Sequence, residues 1–187
     1  LTAIAELCVT DSRQAEEVTL QLSRYLRSSF DFKHLDALTT LSNELELVRS
    51  YVAIEQARFG ARLQVEYEVD ADPNLLIPPL IVQPLVENAI RHGVMSNSRG
   101  GKVSLLVKGG LGNGIVLCIE DNGRGMSPQK LDSVLHPDSA AKGIGLWNIS
   151  QRLRLLYGTE MRIESKEGRG TRIEIALPGE NAMAKGG

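Results

Sequence analysis

Apolar residues in the first third of the chain recur every three or four positions, which is the spacing of one helix face. They run from Leu1 to about Phe59 and fall into two stretches that predict two helices with a bundle-type seam. Polar residues from 31 to 40 suit the turn of an antiparallel pair, and Thr10 to Ser12 offer a cap that interrupts the first helix. A lone helical pair has little core, so we expect it to pack against a second copy or the following domain.

The period changes after Gly60, where Leu63 to Val69 alternate with polar residues and predict a half-buried strand. Leu80 to His92 predict a helix that tolerates Pro84 only in its first turns. The later elements are strands at 103–107, 115–119, 161–165 and 171–177, and helices at 127–135 and 144–157. This order predicts an α+β fold, with a helical hairpin over residues 1–60 and, over residues 61–187, an α/β sandwich with a largely antiparallel sheet.

Charge and composition exclude several classes of protein. The net charge is -2 and no dense basic run occurs, which argues against nucleic-acid binding. No stretch approaches the roughly 18 apolar residues of a membrane span, so we expect a soluble piece, and its start inside a helical pattern without Met suggests a fragment. Cys8 and Cys118 lie far apart and away from metal-ligand spacing, which predicts two reduced, buried thiols.

Three glycine-bearing clusters follow strands or open helices: DNGRGM at 121–126, KGIGL at 142–146 and GRGT at 168–171. Glycine allows positive φ and close approach of a ligand to the backbone, and free N–H groups at a helix start suit phosphate. A single such cluster fits a turn or a cap equally well. The small, polar residues 136–142 are a candidate lid.

A fourth segment, LVENAIRHG at 85–93, favours a ligand site over simple turns and caps. Asn88, Arg91 and His92 stand at i, i+3 and i+4, which predicts that they share one helix face. An amide oxygen suits Mg²⁺ and positive donors suit phosphate oxygens, so the face fits a metal-bound triphosphate. Taken alone, it would also fit a solvated helix surface.

The four segments together resemble the ATP-binding fold shared by gyrase, the heat-shock chaperones, histidine kinases and MutL. More narrowly, ELELVRSYVAIEQARFGARL at 44–63 and IPPLIVQPLVENAIRHG at 77–93 resemble sensor histidine kinases of the LytS type, and the resemblance covers nearly the whole chain. It implies the catalytic ATP-binding region of a two-component sensor histidine kinase, with ATP and Mg²⁺ as cofactors.

The resemblance also assigns roles at the phosphate end of the nucleotide. Asn88 would ligate Mg²⁺, and Arg91 and His92 would approach the phosphates. The loop residues Lys142, Gly143, Gly145 and Leu146 would bring backbone N–H groups, the helix dipole and one positive charge to the same phosphates.

At the adenine end, the resemblance implies that Asp121 accepts a hydrogen bond from the amino group. Guanine presents an acceptor there, so this contact selects adenine. Gly123 and Gly125 would let the base lie against the backbone, and Thr171 would complete the site through its hydroxyl, directly or through water.

The choice between kinase and hydrolase depends on two residues. Hydrolases of this superfamily place a water-activating carboxylate one turn before the Asn, where this chain has Pro84. Glu87 is adjacent to Asn88 instead, about 100 degrees around the helix. This favours phosphoryl transfer to a protein side chain, with Glu87 orienting or polarising a histidine.

The phosphate-accepting histidine of the LytS type lies in an Asn-Pro-His-Phe motif, which this sequence lacks. We expect it just upstream of Leu1, so this fragment would bind ATP without phosphorylating itself. His34 and His136 fall in polar connections, so we expect both to be surface residues. The resemblance implies a response regulator as partner, a homodimer through the N-terminal helices, and a cytoplasmic domain joined to a membrane only through upstream segments.

Two other functions stay open at this point. One is an ATP-gated interaction module, in which the nucleotide only switches conformation. The other is a water-directed ATPase of the same fold, which the proline at position 84 opposes.

Overall fold

The computed structural model of this chain describes residues 2–31, 38–110, 114–136 and 144–179. The N-terminal segment contains helices α1 (Thr2–Thr10) and α2 (Ser12–Asp31). The predicted interruption between them is present, because the Asp11 carboxylate accepts a hydrogen bond from the Gln14 backbone N–H at 3.0 Å. No helix within these ranges combines the length and the apolar composition needed to cross a membrane.

Helix α3 (Leu41–Phe59) follows a two-residue strand, β1 (Thr39–Thr40). The Thr40 hydroxyl caps α3 by accepting a hydrogen bond from the Asn43 N–H, and Gly60 ends the helix with a φ of 57°, as the sequence predicts for this glycine. A short 3₁₀ turn, Gly60–Arg62, then leads into the sheet.

In the residues that the structure describes, five strands form the main sheet in the order β2-β4-β5-β7-β6. Their ranges are β2 (Leu63–Asp70), β4 (Gly101–Gly109), β5 (Ile115–Asp121), β6 (Arg162–Lys166) and β7 (Gly170–Leu177). Among the described strands of this sheet, only the β2–β4 pair is parallel, so the predicted largely antiparallel sheet is confirmed. A short strand β3 (Leu76–Ile77) pairs with β1, and two residues are too few to carry the period that would predict it.

The described part of the chain contains three further α-helices: α4 (Val82–Asn88), α5 (Pro128–Leu135) and α6 (Ile144–Tyr157). Residues from α3, α4 and α6 share one buried cluster with alternate residues of the strands. Helix α3 therefore packs on the sheet as well as on α2, and the predicted α+β architecture is confirmed.

Burial differs from the sequence-based prediction at three places. Cys8 is exposed, so its predicted burial is wrong, because no residue of α1 is buried; Cys118 is buried as expected. Tyr67 and Val69 are exposed because β2 is an edge strand, and only Leu63 of that strand is buried. Leu156 lies three positions after the fully buried Leu153, a spacing that predicts one shared apolar face, but it is 54% exposed.

A buried carboxylate fixes the start of α4. Glu44 of α3 is fully buried and accepts hydrogen bonds from the backbone N–H groups of Leu80, Ile81 and Val82 at 2.7, 3.1 and 2.9 Å. These are the N–H groups that a helix start leaves without partners. Leu80 has a left-handed φ of 56°, so the helix begins two residues later than predicted. Pro84 then falls in the first turn, as expected.

Candidate functional site

A cavity of about 370 Å³ opens beside the C-terminal end of α4. Its volume lies within the range of small-molecule sites. Seven predicted site residues line it, and they come from all four motif segments: Asn88, His92, Asp121, Gly125, Gly145, Leu146 and Thr171. Segments separated by more than eighty positions in the sequence thus meet at one concave surface.

Helix α4 does not continue as an α-helix but changes to a π-helix at Ala89–Val94. Such wide turns are rare and often occur at functional sites. Asn88 and His92 line the cavity, but Arg91 does not; its Nη1 lies 2.8 Å from Glu87 Oε1. The sequence predicts that Arg91 shares one helix face with Asn88 and His92, but this prediction assumes 3.6 residues per turn. The π-helix has wider turns, and Arg91 does not line the cavity with the other two residues.

His92 lies in a partly buried, positively charged part of the cavity. Burial lowers the pKa of its imidazole, and the nearby Arg91 and Arg124 guanidinium groups lower it further. The ring is thus held neutral at physiological pH, so it can offer one N–H donor to a ligand.

Asp121 ends β5 and lies 5% exposed at the base of the cavity. One of its carboxylate oxygens accepts a hydrogen bond from the Gly123 N–H at 2.8 Å. Burial raises the pKa of Asp121 to about 6, against the opposing effect of backbone hydrogen bonds from Gly123 and Thr171. A buried carboxylate that faces the cavity is a specific acceptor for an amino group.

Two glycines let the chain pass close to Asp121. A Cβ on Gly93 would lie 2.5 Å from Asp121 Cγ, and a Cβ on Gly123 would lie 2.1 Å from the Gly93 carbonyl carbon. Gly123 does not line the cavity, and its structural role is this backbone crossing. Gly125 does line it, with a φ of 63°, and a Cβ there would overlap the Lys166 carbonyl oxygen.

Thr171 pairs with Asp121 across β5 and β7, so the two side chains lie beside each other at the cavity. The Thr171 hydroxyl is hydrogen-bonded to the Ser165 hydroxyl at 2.8 Å, and Ser165 also accepts the Met126 N–H at 2.9 Å. Ser165 thereby joins the DNGRGM loop to the GRGT strand. It gave no signal in the sequence, because a serine in a short strand matches no motif.

Sequence reasoning also missed two cations, Arg124 and Lys130, that line the cavity. Arg124 lies inside the DNGRGM cluster, where only the glycines drew attention, and Lys130 lies on α5 at ordinary helical spacing. The remaining lining is largely apolar and suits the flat face of a base: Ala89, Ile119, Met126, Val134 and Ile173.

The start of α6 forms the far wall of the cavity. Gly145 and Leu146 line it, and a Cβ on Gly145 would lie 3.7 Å from Asn88 Nδ2. The N–H groups and the dipole of a helix start favour an anion here. Lys142 and Gly143, which were predicted for the same loop, lie outside the described residues, as do His34 and nearly all of the candidate lid.

Comparison with known protein families agrees with this geometry. The model of the histidine kinase-, DNA gyrase B- and HSP90-like ATPase family matches residues 77–181, more than half of the chain. The chain belongs to this ATPase family. A histidine kinase family model matches residues 1–63 as well.

Curated relatives and solved structures give a consistent result. YwpD, an uncharacterized protein of Bacillus subtilis, is 39% identical over 95% of this chain and 63% of its own length. Sensor histidine kinase YpdA of Escherichia coli and sensor protein LytS of Bacillus subtilis are 37% and 33% identical, each over 95% of this chain and 31% of their own length. The chain thus spans about a third of these two relatives, and its resemblance to the LytS type is confirmed.

The fold is shared with solved histidine kinases. The histidine kinase domain of a blue-light activated kinase from Erythrobacter litoralis superimposes with a TM-score of 0.58 at 19% identity, over 92% of this chain and 79% of that domain. AdeS of Acinetobacter baumannii gives 0.59 at 17% identity, over 92% and 82%. Identities this low establish the fold alone.

Proposed function

We propose that this chain is the catalytic ATP-binding region of a sensor histidine kinase, which transfers the γ-phosphoryl group of ATP to a protein histidine. The observation that carries the proposal is the convergence of Asn88, Asp121, Gly145 and Thr171 on one cavity in a chain of this ATPase family. Relatives named sensor histidine kinases over 91–95% of this chain support the kinase activity.

In this proposal, two groups of cavity-lining residues bind the two ends of ATP. Asp121 and Thr171, which pair across β5 and β7, would bind adenine, and the buried carboxylate would accept the amino group. Asn88, His92 and the start of α6 would bind the phosphates, with Arg124 and Lys130 adding positive charge. Arg91 reaches the phosphates only if its ion pair with Glu87 opens.

The phosphate end would hold Mg²⁺ with a single protein ligand. Within the described ranges, no group of three or more His, Cys, Asp or Glu side chains is placed to hold a metal. Mg²⁺ in phosphoryl-transfer sites takes one or two protein ligands and completes its shell with substrate phosphates and water. The Asn88 amide oxygen would supply the protein ligand, and the metal would neutralise charge on the phosphates.

The residues before Asn88 favour phosphoryl transfer over hydrolysis. Pro84 occupies the position of a water-activating carboxylate, and the Glu87 side chain is 30% exposed, so a histidine can approach it. Glu87 would orient or polarise that histidine for attack on the γ-phosphorus.

For the whole protein, we propose a phosphate-accepting histidine upstream of residue 1, onward transfer to a response regulator, and a homodimer through α1 and α2. The exposed apolar residues Val9, Leu20 and Leu26 on these helices support the dimer. Membrane attachment, where present, would come from segments outside this chain.

The first test is calorimetry of ATP with Mg²⁺, with GTP as the comparison ligand, on the chain and on Asp121→Asn. We expect ATP binding, a preference over GTP, and loss of that preference in the variant, since the amide presents a donor to the adenine amino group. Asp70→Asn, on the edge strand, is the matched control and should bind as the parent chain does. Equal binding of ATP and GTP by the parent would contradict the adenine assignment.

A second assay separates the kinase from its alternatives. The chain is mixed with ATP and a supplied histidine-containing domain of its own protein, and Asn88→Ala is compared with the parent. Transfer that the variant loses supports the kinase. ATP binding without transfer identifies a nucleotide-gated module, and phosphate release without the supplied domain identifies a water-directed ATPase.

A further inference from the structure

A polar cluster behind the nucleotide cavity joins α2 to α4. Its central residue is Gln83, which lies on α4 and is 6% exposed. The Gln83 amide donates one hydrogen bond to the Tyr25 hydroxyl oxygen on α2, at 3.3 Å, and one to Glu87 Oε2, at 3.1 Å. One planar NH₂ group thus bridges the N-terminal helices and the carboxylate beside Asn88.

The two carboxylate oxygens of Glu87 accept hydrogen bonds from different residues. Arg91 Nη1 lies 2.8 Å from Oε1, and Gln83 Nε2 lies 3.1 Å from Oε2. A carboxylate with only one partner can rotate about its terminal torsion, since that torsion is broad. With both oxygens engaged it keeps one orientation, while its partial exposure leaves it open to a substrate.

The surroundings of the bridge are unusually polar for the space between packed helices. Tyr51 of α3 has its ring 6.0 Å from that of Tyr25, and its buried hydroxyl has no hydrogen-bond partner among the described residues. Burial raises the pKa of Tyr51, and the carboxylates of Glu55 and Glu87 raise it further, so the hydroxyl keeps its proton. A buried donor without a partner is costly, and buried polar groups are nearly always hydrogen-bonded.

We propose that Gln83 is a positioning residue for phosphoryl transfer, and that it makes the orientation of Glu87 depend on the position of Tyr25. This inference rests on the proposed kinase function. A shift of α2 by about 1 Å would stretch the 3.3 Å bond beyond hydrogen-bonding distance. The amide would then be free to turn away from Glu87, and α2 would control the carboxylate without touching the nucleotide.

Gln83→Met tests the bridge, since methionine keeps the length of the side chain and removes both donors. In the natural protein at full length, we expect the maximal rate of histidine phosphorylation to fall on the order of tenfold, because a positioned acid or base contributes roughly 100-fold or more. The KM for ATP should stay within about twofold, because Gln83 does not line the cavity. Gln56→Met is the matched control, since its amide donates to the Leu63 carbonyl far from the site.

Gln83→Glu gives a readout that a merely structural role would not produce. A carboxyl group at this position donates to Glu87 only when protonated, and burial beside another carboxylate favours protonation. The phosphorylation rate of this variant should therefore rise relative to Gln83→Met as the pH is lowered from about 8 to about 6. Tyr25→Phe, which removes one hydroxyl from a half-buried ring, should lower the rate less, and its effect should vanish in the Gln83→Met background.

The outcomes are distinct. Parent-level rates for Gln83→Met and Tyr25→Phe at every pH, with an active parent, would overturn the positioning role and leave the kinase function standing. Additive effects of the two substitutions, or a lowered unfolding free energy that accounts for the lost activity, would also overturn it. An inactive parent protein would overturn the proposed function and this inference with it.

Discussion

Gly93→Ala perturbs the adenine end of the cavity through Asp121, because Gly93 lines the cavity and a Cβ there would meet that carboxylate. The new Cβ would lie 2.5 Å from Cγ and from Oδ1 of Asp121, whereas ordinary contact begins near 3.4 Å. The carboxylate is the end of a side chain, so it moves more readily than the backbone around it. It has to retreat by about 0.9 Å, which is the difference between these two distances.

That displacement breaks the hydrogen bond that orients Asp121. The Gly123 N–H to Oδ1 distance would grow from 2.8 Å to about 3.7 Å, beyond hydrogen-bonding range. A hydrogen bond to a charged group contributes about 1.5–3 kcal/mol, so a carboxylate moved off the amino group of adenine weakens ATP binding roughly 10- to 100-fold. GTP, which gains nothing from this carboxylate, should bind as before.

Calorimetry of both nucleotides on the 187-residue chain measures the effect directly. Gly109→Ala is the matched control, because its Cβ would make an ordinary 3.8 Å contact with the Asp70 carbonyl oxygen. An ATP affinity within twofold of the parent, in a folded Gly93→Ala protein, would refute the assignment of Asp121 to adenine.

Two more predictions concern buried carboxylates. Glu44→Ala leaves the three N–H groups at the start of α4 without their acceptor. The free energy of unfolding, measured in urea, should therefore fall by about 3–5 kcal/mol. A loss below about 1 kcal/mol would show that water replaces the carboxylate. Asp121 has a folded pKa of about 6, raised from 3.8, so its contribution to stability is complete below 3.8 and is lost as the pH rises through 6. ATP affinity should change in the opposite direction and weaken as the pH falls below 6, and Asp121→Asn should abolish both dependences.

Periodicity was sufficient for most of the fold, because long amphipathic segments have few alternatives. Helix α6 has the bounds that the sequence predicts, and Gly158 follows it with a φ of 61°. Both antiparallel hairpins form from the predicted strands. The misses have physical causes. The length of α4 depends on Glu44, which is far away in sequence, and the exposure of β2 depends on its place at the sheet edge.

The lining of the cavity was predictable where a motif requires a particular backbone. Asp121 and Gly125 face the cavity because the loop after β5 needs glycine to turn there. Arg91 was misplaced because the π-helix changes which residues share a face, and no residue type in the sequence encodes that change. Arg124 and Lys130 were missed since a cation beside a cavity differs from a surface cation only in three-dimensional position.

Helix α4 contacts α2 and α3 at its start, and the π-helix that continues it contacts the sheet. Glu44 of α3 accepts hydrogen bonds from the N–H groups at its start, and Gln83 in its first turn donates one to Tyr25 of α2. In the π-helix that follows, Gly93 packs against Asp121 of β5. A displacement of α3 therefore either breaks three charge-assisted hydrogen bonds, each contributing about 1.5–3 kcal/mol, or carries the start of α4 with it. The second path keeps these hydrogen bonds, and the π-helix at Ala89–Val94 lies between the moving α4 and the sheet. A movement of α2 and α3 would then displace Glu87 and Asn88, while the sheet keeps Asp121 and the adenine end in place.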